Sequence, residues 1–126
     1  SKAVQVSSEK LIFTKIKNIE GLNLAIANSS NPVMLDFWAS WCVACKELEE
    51  ITFKDEAVIA KLQGFTLLKA DVTANNEDDK ALQKLYGIVG PPGLIFWDKD
   101  KKEVTSSKIV GYKNPTDFLQ IVNKNF

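Results

Sequence analysis

The chain has 126 residues, 45% of them hydrophobic, with 16 acidic and 16 basic residues and a net charge of zero; this is one domain, long enough to bury about two-thirds of its unfolded surface in a single core. It contains no histidine, which removes cysteine–histidine proteases, serine–histidine hydrolases and histidine-ligated zinc sites, and 2 cysteines are too few for a four-cysteine zinc centre. Every basic residue is a lysine, so the planar, two-pronged phosphate recognition of arginine is missing and nucleic acid is not expected as a partner.

No apolar run approaches the roughly 20 residues needed to span a bilayer and no signal peptide is visible, so the chain reads as soluble and not membrane-spanning. It opens with Ser1 and its only methionine is Met34, as expected of a processed product or a domain cut from something larger. Residues 1–8 are polar and without periodicity, a flexible tail or linker end, and 9–126 form the single domain. Leu11 to Ile16 reads as a first strand, and Ile19, Leu22, Leu24 and Ile26 as a first helix ending near Asn28 to Asn31. Asn28-Ser29-Ser30 matches a glycosylation sequon, a tripeptide common by chance, and carries no weight.

Pro32 introduces Val33 to Trp38, a near-continuous apolar run expected of a central strand covered on both faces and interrupted by one charge, Asp36. A helix starts at Cys42 and reaches at least Glu50. After a break over Thr52 to Asp55, a second amphipathic stretch carries Ala57, Val58, Ile59 and Leu62 and ends at Gly64. Phe65 to Val72 is the next strand. Asn75 to Asp79 then loads acid onto the start of a helix through Ala81, Leu82 and Leu85, which Gly87 stops. Gly90-Pro91-Pro92-Gly93 breaks the chain before the strand Leu94 to Trp97. The charged turn Asp98 to Lys102 predicts a hairpin whose second arm runs from about Ser107 to Val110, and Gly111 closes it. Asn114-Pro115 starts a last helix with Phe118, Ile121 and Val122 inward. The order β-α-β-α-β-α-β-β-α implies an α/β fold, a mixed sheet with helices on both faces.

Both cysteines lie in Trp41-Cys42-Val43-Ala44-Cys45-Lys46, where the central strand gives way to a helix. A helix's first turn leaves unpaired N–H groups and a partial positive charge, which stabilise a thiolate there. Cys42, at the helix tip, is the expected exposed nucleophile, and Cys45, one turn inside, the buried thiol that resolves a mixed disulfide. The alternative is an inert bridge, but one closing so short a loop constrains the unfolded chain little. Asp36 is costly to bury without a purpose, and its strand leads straight into the Cys42 turn, so it is expected beneath the thiols as proton acceptor for Cys45; a hydrogen-bonded structural carboxylate is the other reading. Glu49 shares a helix stripe with Cys42 and Cys45, whereas Lys46, Glu47 and Glu50 point elsewhere. Glu49 and ionised Asp36 would both oppose thiolate formation, keeping the dithiol sluggish until a docked partner changes its surroundings. A merely solvated Glu49 is the alternative.

Asp36-Phe37-Trp38-Ala39, Trp41-Cys42-x-x-Cys45-Lys46 and a Pro92 just before a late strand resemble the thioredoxin superfamily over roughly Pro32 to the C-terminus, which implies a thioredoxin-like fold. Within it, Trp41 to Glu49 and Asp71-Val72-Thr73-Ala74-Asn75 resemble the C-terminal periplasmic domain of the bacterial transmembrane thiol:disulfide interchange proteins. That resemblance implies a disulfide reductase whose only redox group is the Cys42–Cys45 pair, with no metal and no other cofactor. It further implies a periplasmic domain of an inner-membrane protein, taking electrons from that protein's transmembrane domain and passing them to its N-terminal periplasmic domain. A monomer is the default state. Pro92 matches the superfamily's cis-proline position in the groove that receives a partner's disulfide; Pro91 before it has no N–H to offer, and Gly93 after it is small. Trp41 offers a flat apolar contact to the partner, with Val43 and Ala44, where ordinary thioredoxins have Gly-Pro, also on the docking face. A free-standing general reductase and a redox-silent interaction module remain the alternatives.

Overall fold

The computed structural model of the chain describes residues 10–126, so the expected tail over residues 1–8 lies outside the described part. In chain order the elements are β1 (Thr14–Ile16), α1 (Ile19–Asn28), β2 (Val33–Trp38), α2 (Val43–Glu50), α3 (Glu56–Leu62), β3 (Thr66–Asp71), α4 (Glu77–Leu85), β4 (Gly93–Trp97), β5 (Ile109–Val110) and α5 (Pro115–Asn125). Single 3-10 turns at Thr52–Lys54 and Thr105–Ser107 fill the break after α2 and the approach to β5.

These strands make a five-stranded sheet in the order β1-β3-β2-β4-β5. β3 runs parallel to both β1 and β2, while β4 is antiparallel to β2 and to β5. β2 takes the middle because it is apolar almost throughout and can be covered on both sides. On one face Leu35, Phe37 and Ile95 pack with Leu22 and Ile26 of α1 and Leu82 of α4. On the other, Met34, Leu94 and Phe96 pack with Leu48 of α2, Val58 and Leu62 of α3, and Phe118 and Val122 of α5. Helices on both faces of a mixed sheet are what the alternating pattern predicts.

Caps explain the helix starts. Asn76 accepts from the Asp79 N–H while the Asp79 carboxylate accepts from the Asn76 N–H, so the acid load before α4 serves a reciprocal cap. Asn18, Asp55 and Asn114 cap α1, α3 and α5 with their side chains.

Two strand expectations are corrected. The first strand begins at Thr14, not Leu11. Phe13 instead stacks on Phe53 at 5.8 Å between ring centres and Leu11 joins the same cluster, removing apolar surface that a sheet edge would leave wet. Ile12 between them is exposed. The hairpin's second arm is shorter than Ser107 to Val110, because Thr105–Ser107 winds into a 3-10 turn whose Ser107 hydroxyl donates to the Val104 carbonyl. Gly93 also acquires a reason: a Cβ there would lie 2.5 Å from Ile88 Cδ1, so only glycine lets Ile88 close over β4.

Candidate active site

Cys42 and Cys45 form a disulfide across the first turn of α2, with 5.3 Å between their Cα atoms. Cys42 is itself the N-cap: its Sγ accepts the Cys45 N–H at 3.1 Å, so a sulfur occupies the place where Ser or Asp would satisfy an unpaired helix donor. The same N–H and the helix dipole stabilise negative charge on Cys42 once the bridge opens. Cys45 Sγ lies 4.0 Å from the Phe37 carbonyl, sealed against the end of β2.

The expectation of an exposed Cys42 is corrected. Cys42 is 5% exposed and Cys45 1%; folded in as a cap, the first sulfur keeps only a slightly more open position than the second. Exposure instead falls on its neighbours, Trp41 at 61% and Val43 at 73%. Ala44 is half-buried against the core. The Pro91–Pro92 bond is cis, Pro92 is buried and its carbonyl accepts the Gly111 N–H at 3.0 Å. Val89, shortly before this proline pair, is fully exposed and was not singled out from the sequence.

Asp36 lies in the middle of β2, 2% exposed, with Lys69 of β3 and Leu94 of β4 as its register partners. Its Oδ1 has no hydrogen-bond partner among the described residues, and neither has Trp38 Nε1. Burial therefore pushes the Asp36 carboxyl up from 3.8 to about 7, with Lys69 pulling it down and Glu49 adding to the rise. A carboxyl near 7 can both take and return a proton at neutral pH.

Glu49 does not stand alone. Its Oε2 accepts a charge-assisted hydrogen bond from Lys69 Nζ at 2.9 Å, and that ammonium sits 5.0 Å from the Trp38 ring centre and 5.3 Å from that of Phe13. The pair borders an open cleft of about 600 Å³ walled in part by Phe13 and Phe53. Lys69 thus joins Asp36 and Glu49 in one electrostatic unit, and sequence reasoning missed it. The available signal was a charge at the centre of each of two apolar strands that pair in parallel.

A second set of contacts holds the segment before Cys42. The Ser40 N–H donates to Thr73 Oγ1 at 2.9 Å and Trp41 Nε1 donates to the Thr73 carbonyl at 3.3 Å. The Cys42 N–H donates to the Ala39 carbonyl at 3.1 Å. No group of acidic or sulfur side chains among the described residues is placed to hold a metal ion, and no helix among them is long and apolar enough to cross a membrane. A disulfide at a helix tip, a resolving sulfur behind it and a carboxyl poised near neutrality are the parts that dithiol–disulfide exchange requires.

The comparisons with known proteins agree with this chemistry. The model of a thioredoxin-like domain matches residues 20–125. The chain is 46% identical over 120 residues to the thiol:disulfide interchange protein DsbD of Pectobacterium atrosepticum, covering 95% of this chain and 21% of that protein. It is 42% identical over 123 residues to DsbD of Vibrio vulnificus, with the same two coverages, 95% and 21%. The chain thus spans about a fifth of the length of the curated relatives it matches. Its fold superposes on the oxidised C-terminal domain of Neisseria meningitidis DsbD with a TM-score of 0.72 and 28% identity, over 92% of this chain and 100% of that one. The chain belongs to the thioredoxin-like domain family, and both its sequence and its fold are similar to DsbD.

Proposed function

We propose that the chain is a thiol–disulfide oxidoreductase module of a larger protein, relaying electron pairs between protein domains. It takes them from the transmembrane domain of its parent and passes them to the parent's N-terminal domain in the periplasm. The observation that carries the reading is the Cys42–Cys45 bridge capping α2 against the end of β2, the strand that also holds a buried carboxyl of pKa about 7.

In the reduced state the Cys42 thiolate attacks one sulfur of the partner's disulfide. A bond forms between Cys42 Sγ and that sulfur, and the partner's other sulfur leaves as a thiolate. Cys45 then gives its proton to Asp36 and attacks Cys42 Sγ, closing the Cys42–Cys45 bond and expelling the partner's second thiolate. Two electrons have passed to the partner. Reduction by the upstream donor runs the same exchanges in reverse, and Asp36 returns its proton to Cys45. Trp41 and Val43 supply the apolar face on which the partner sits, with Pro91 and Pro92 on the loop before β4. Glu49, partly neutralised by Lys69, tunes the Asp36 carboxyl.

Replacing Cys45 by alanine removes the resolving thiol, so a mixed disulfide on Cys42 persists and can be isolated from a periplasmic extract. One dominant adduct, a domain of the same parent protein, is the expected result. A broad spread of adducts would make this a general reductase. No adduct, with Cys42 titrating as a free thiol, would end the redox reading.

A further inference from the structure

The segment that delivers Trp41 and Cys42 is held by the loop after β3. The Val72 N–H donates to the Trp38 carbonyl at 2.8 Å, the Ser40 N–H donates to Thr73 Oγ1, and the Trp41 indole donates to the Thr73 carbonyl. Thr73 therefore grips the segment with its hydroxyl and its backbone at once, across 32 and 33 residues of sequence. Its own geometry is set by Asp71, whose Oδ1 accepts from the Thr73 N–H at 3.0 Å and from the Thr73 hydroxyl at 2.5 Å.

A hydroxyl has one proton and two lone pairs, and an ionised carboxylate can only accept. Burial tends to raise the Asp71 carboxyl, but the hydroxyl and N–H of Thr73, with Lys15 and Lys69, outweigh it and hold the group below its usual range. It is ionised at neutral pH. The Thr73 proton must then point at Asp71, which turns a lone pair towards the Ser40 N–H. The result is an exposed tryptophan, 61% accessible, held beside a disulfide between two buried cysteines. A partner that reaches Cys42 meets the exposed Trp41 and Val43 on either side of it.

We propose that Thr73, oriented by Asp71, is a positioning residue that sets Trp41 in its docking pose before a partner arrives. An indole already immobile loses little further freedom on binding, which raises affinity without changing the sulfur chemistry. Thr73 touches neither sulfur and none of the reacting atoms. The inference rests on the redox reading given above and adds how that site favours protein disulfides over small ones.

The test compares reduction of insulin, a macromolecular disulfide, with reduction of 2,2′-dithiodipyridine, a small one, by the intact chain and its variants, each first converted to the Cys42/Cys45 dithiol with dithiothreitol and freed of it, so that the protein thiols are the reductant and are oxidised to the disulfide. Thr73→Val removes the hydroxyl while keeping the bulk. It should raise KM for insulin about fivefold with kcat unchanged, the loss expected of one net hydrogen bond, and leave the small-disulfide rate within about twofold. Thr73→Ser keeps the hydroxyl and should restore insulin reduction to within about twofold of the parent chain. An equal fall on both substrates would place the effect at the thiols and overturn the inference, as would no change on either. A parent chain that reduces neither substrate would instead defeat the redox reading itself. Should Thr73→Val not fold, the parent chain still decides the matter. The Trp41 indole N–H should relax as a rigid group, with an order parameter near about 0.85, and a value below about 0.6 would refute a pre-set pose.

Discussion

Asp36→Asn is the most informative single change, because its effect on stability depends on pH in a way that no packing defect reproduces. The Asp36 carboxyl titrates at about 7 in the folded chain against 3.8 for the free group. Well below pH 4 the group is protonated in both folded and unfolded states and contributes nothing to the balance. Between about pH 4 and 7 the unfolded chain releases this proton while the folded chain keeps it, so stability falls as pH rises. Once pH passes the folded pKa the loss is complete. The folded chain holds this proton about a thousandfold more tightly than the unfolded chain, and at about 1.4 kcal/mol for each factor of ten the loss is about 4 kcal/mol. Asparagine has no proton to lose, so the variant should come within about 1 kcal/mol of the parent chain near pH 4 and exceed it by up to about 4 kcal/mol at pH 8. Urea denaturation of the disulfide form at both pH values measures this difference, with the thiols silent. The chain has no histidine to titrate in the same window. A difference that does not grow between pH 4 and 8, or a variant less stable at pH 8, would refute the buried, unpartnered carboxyl.

The remaining predictions concern its neighbours. Glu49→Gln removes a charge that holds the Asp36 carboxyl up and frees Lys69 to pull it down, so the Asp36 carboxyl resonance should titrate below about 7; a rise would contradict the arrangement. Lys69→Gln removes the opposing cation, and the same resonance should move above about 7. In the reduced chain, Asp36→Asn and Glu49→Gln should each lower the Cys42 thiol pKa, read from the pH dependence of alkylation; no fall in either would dismiss the idea that these carboxyls restrain the thiolate. Gly93→Ala drives a methyl into Ile88 Cδ1 and should cost about 1–3 kcal/mol in a denaturant midpoint. A neutral result there would mean that Ile88 moves aside freely.

Several features were legible because they are local. The apolar run Val33–Trp38, the Cys42-x-x-Cys45 turn, and the helix starts at Asn76 and Asn114 rest on periodicity and capping within a few residues. So did the suspicion attached to Asp36, since one carboxylate in an apolar strand is conspicuous anywhere. The edge of the sheet was less legible. Whether Leu11 and Phe13 pair as a strand or fold over Phe53 depends on a ring contributed some 40 residues later, and a period-two pattern fits both outcomes.

What the sequence alone determined is the chemistry: two sulfurs at a strand-to-helix turn, no histidine, and a carboxyl in the strand that feeds them. What only the tertiary structure decided is how that chemistry is tuned. The parallel register of β2 and β3 sets Asp36 beside Lys69, and the return of α2 over that face hands Lys69 to Glu49. The cap geometry draws Cys42 inward and leaves Trp41 as the exposed contact. The loop after β3 then fixes that contact through Thr73. Each of these is a contact between residues far apart in the chain. A one-dimensional pattern records how residues are spaced along the backbone, and it carries no information on which of two compatible faces will meet across the core.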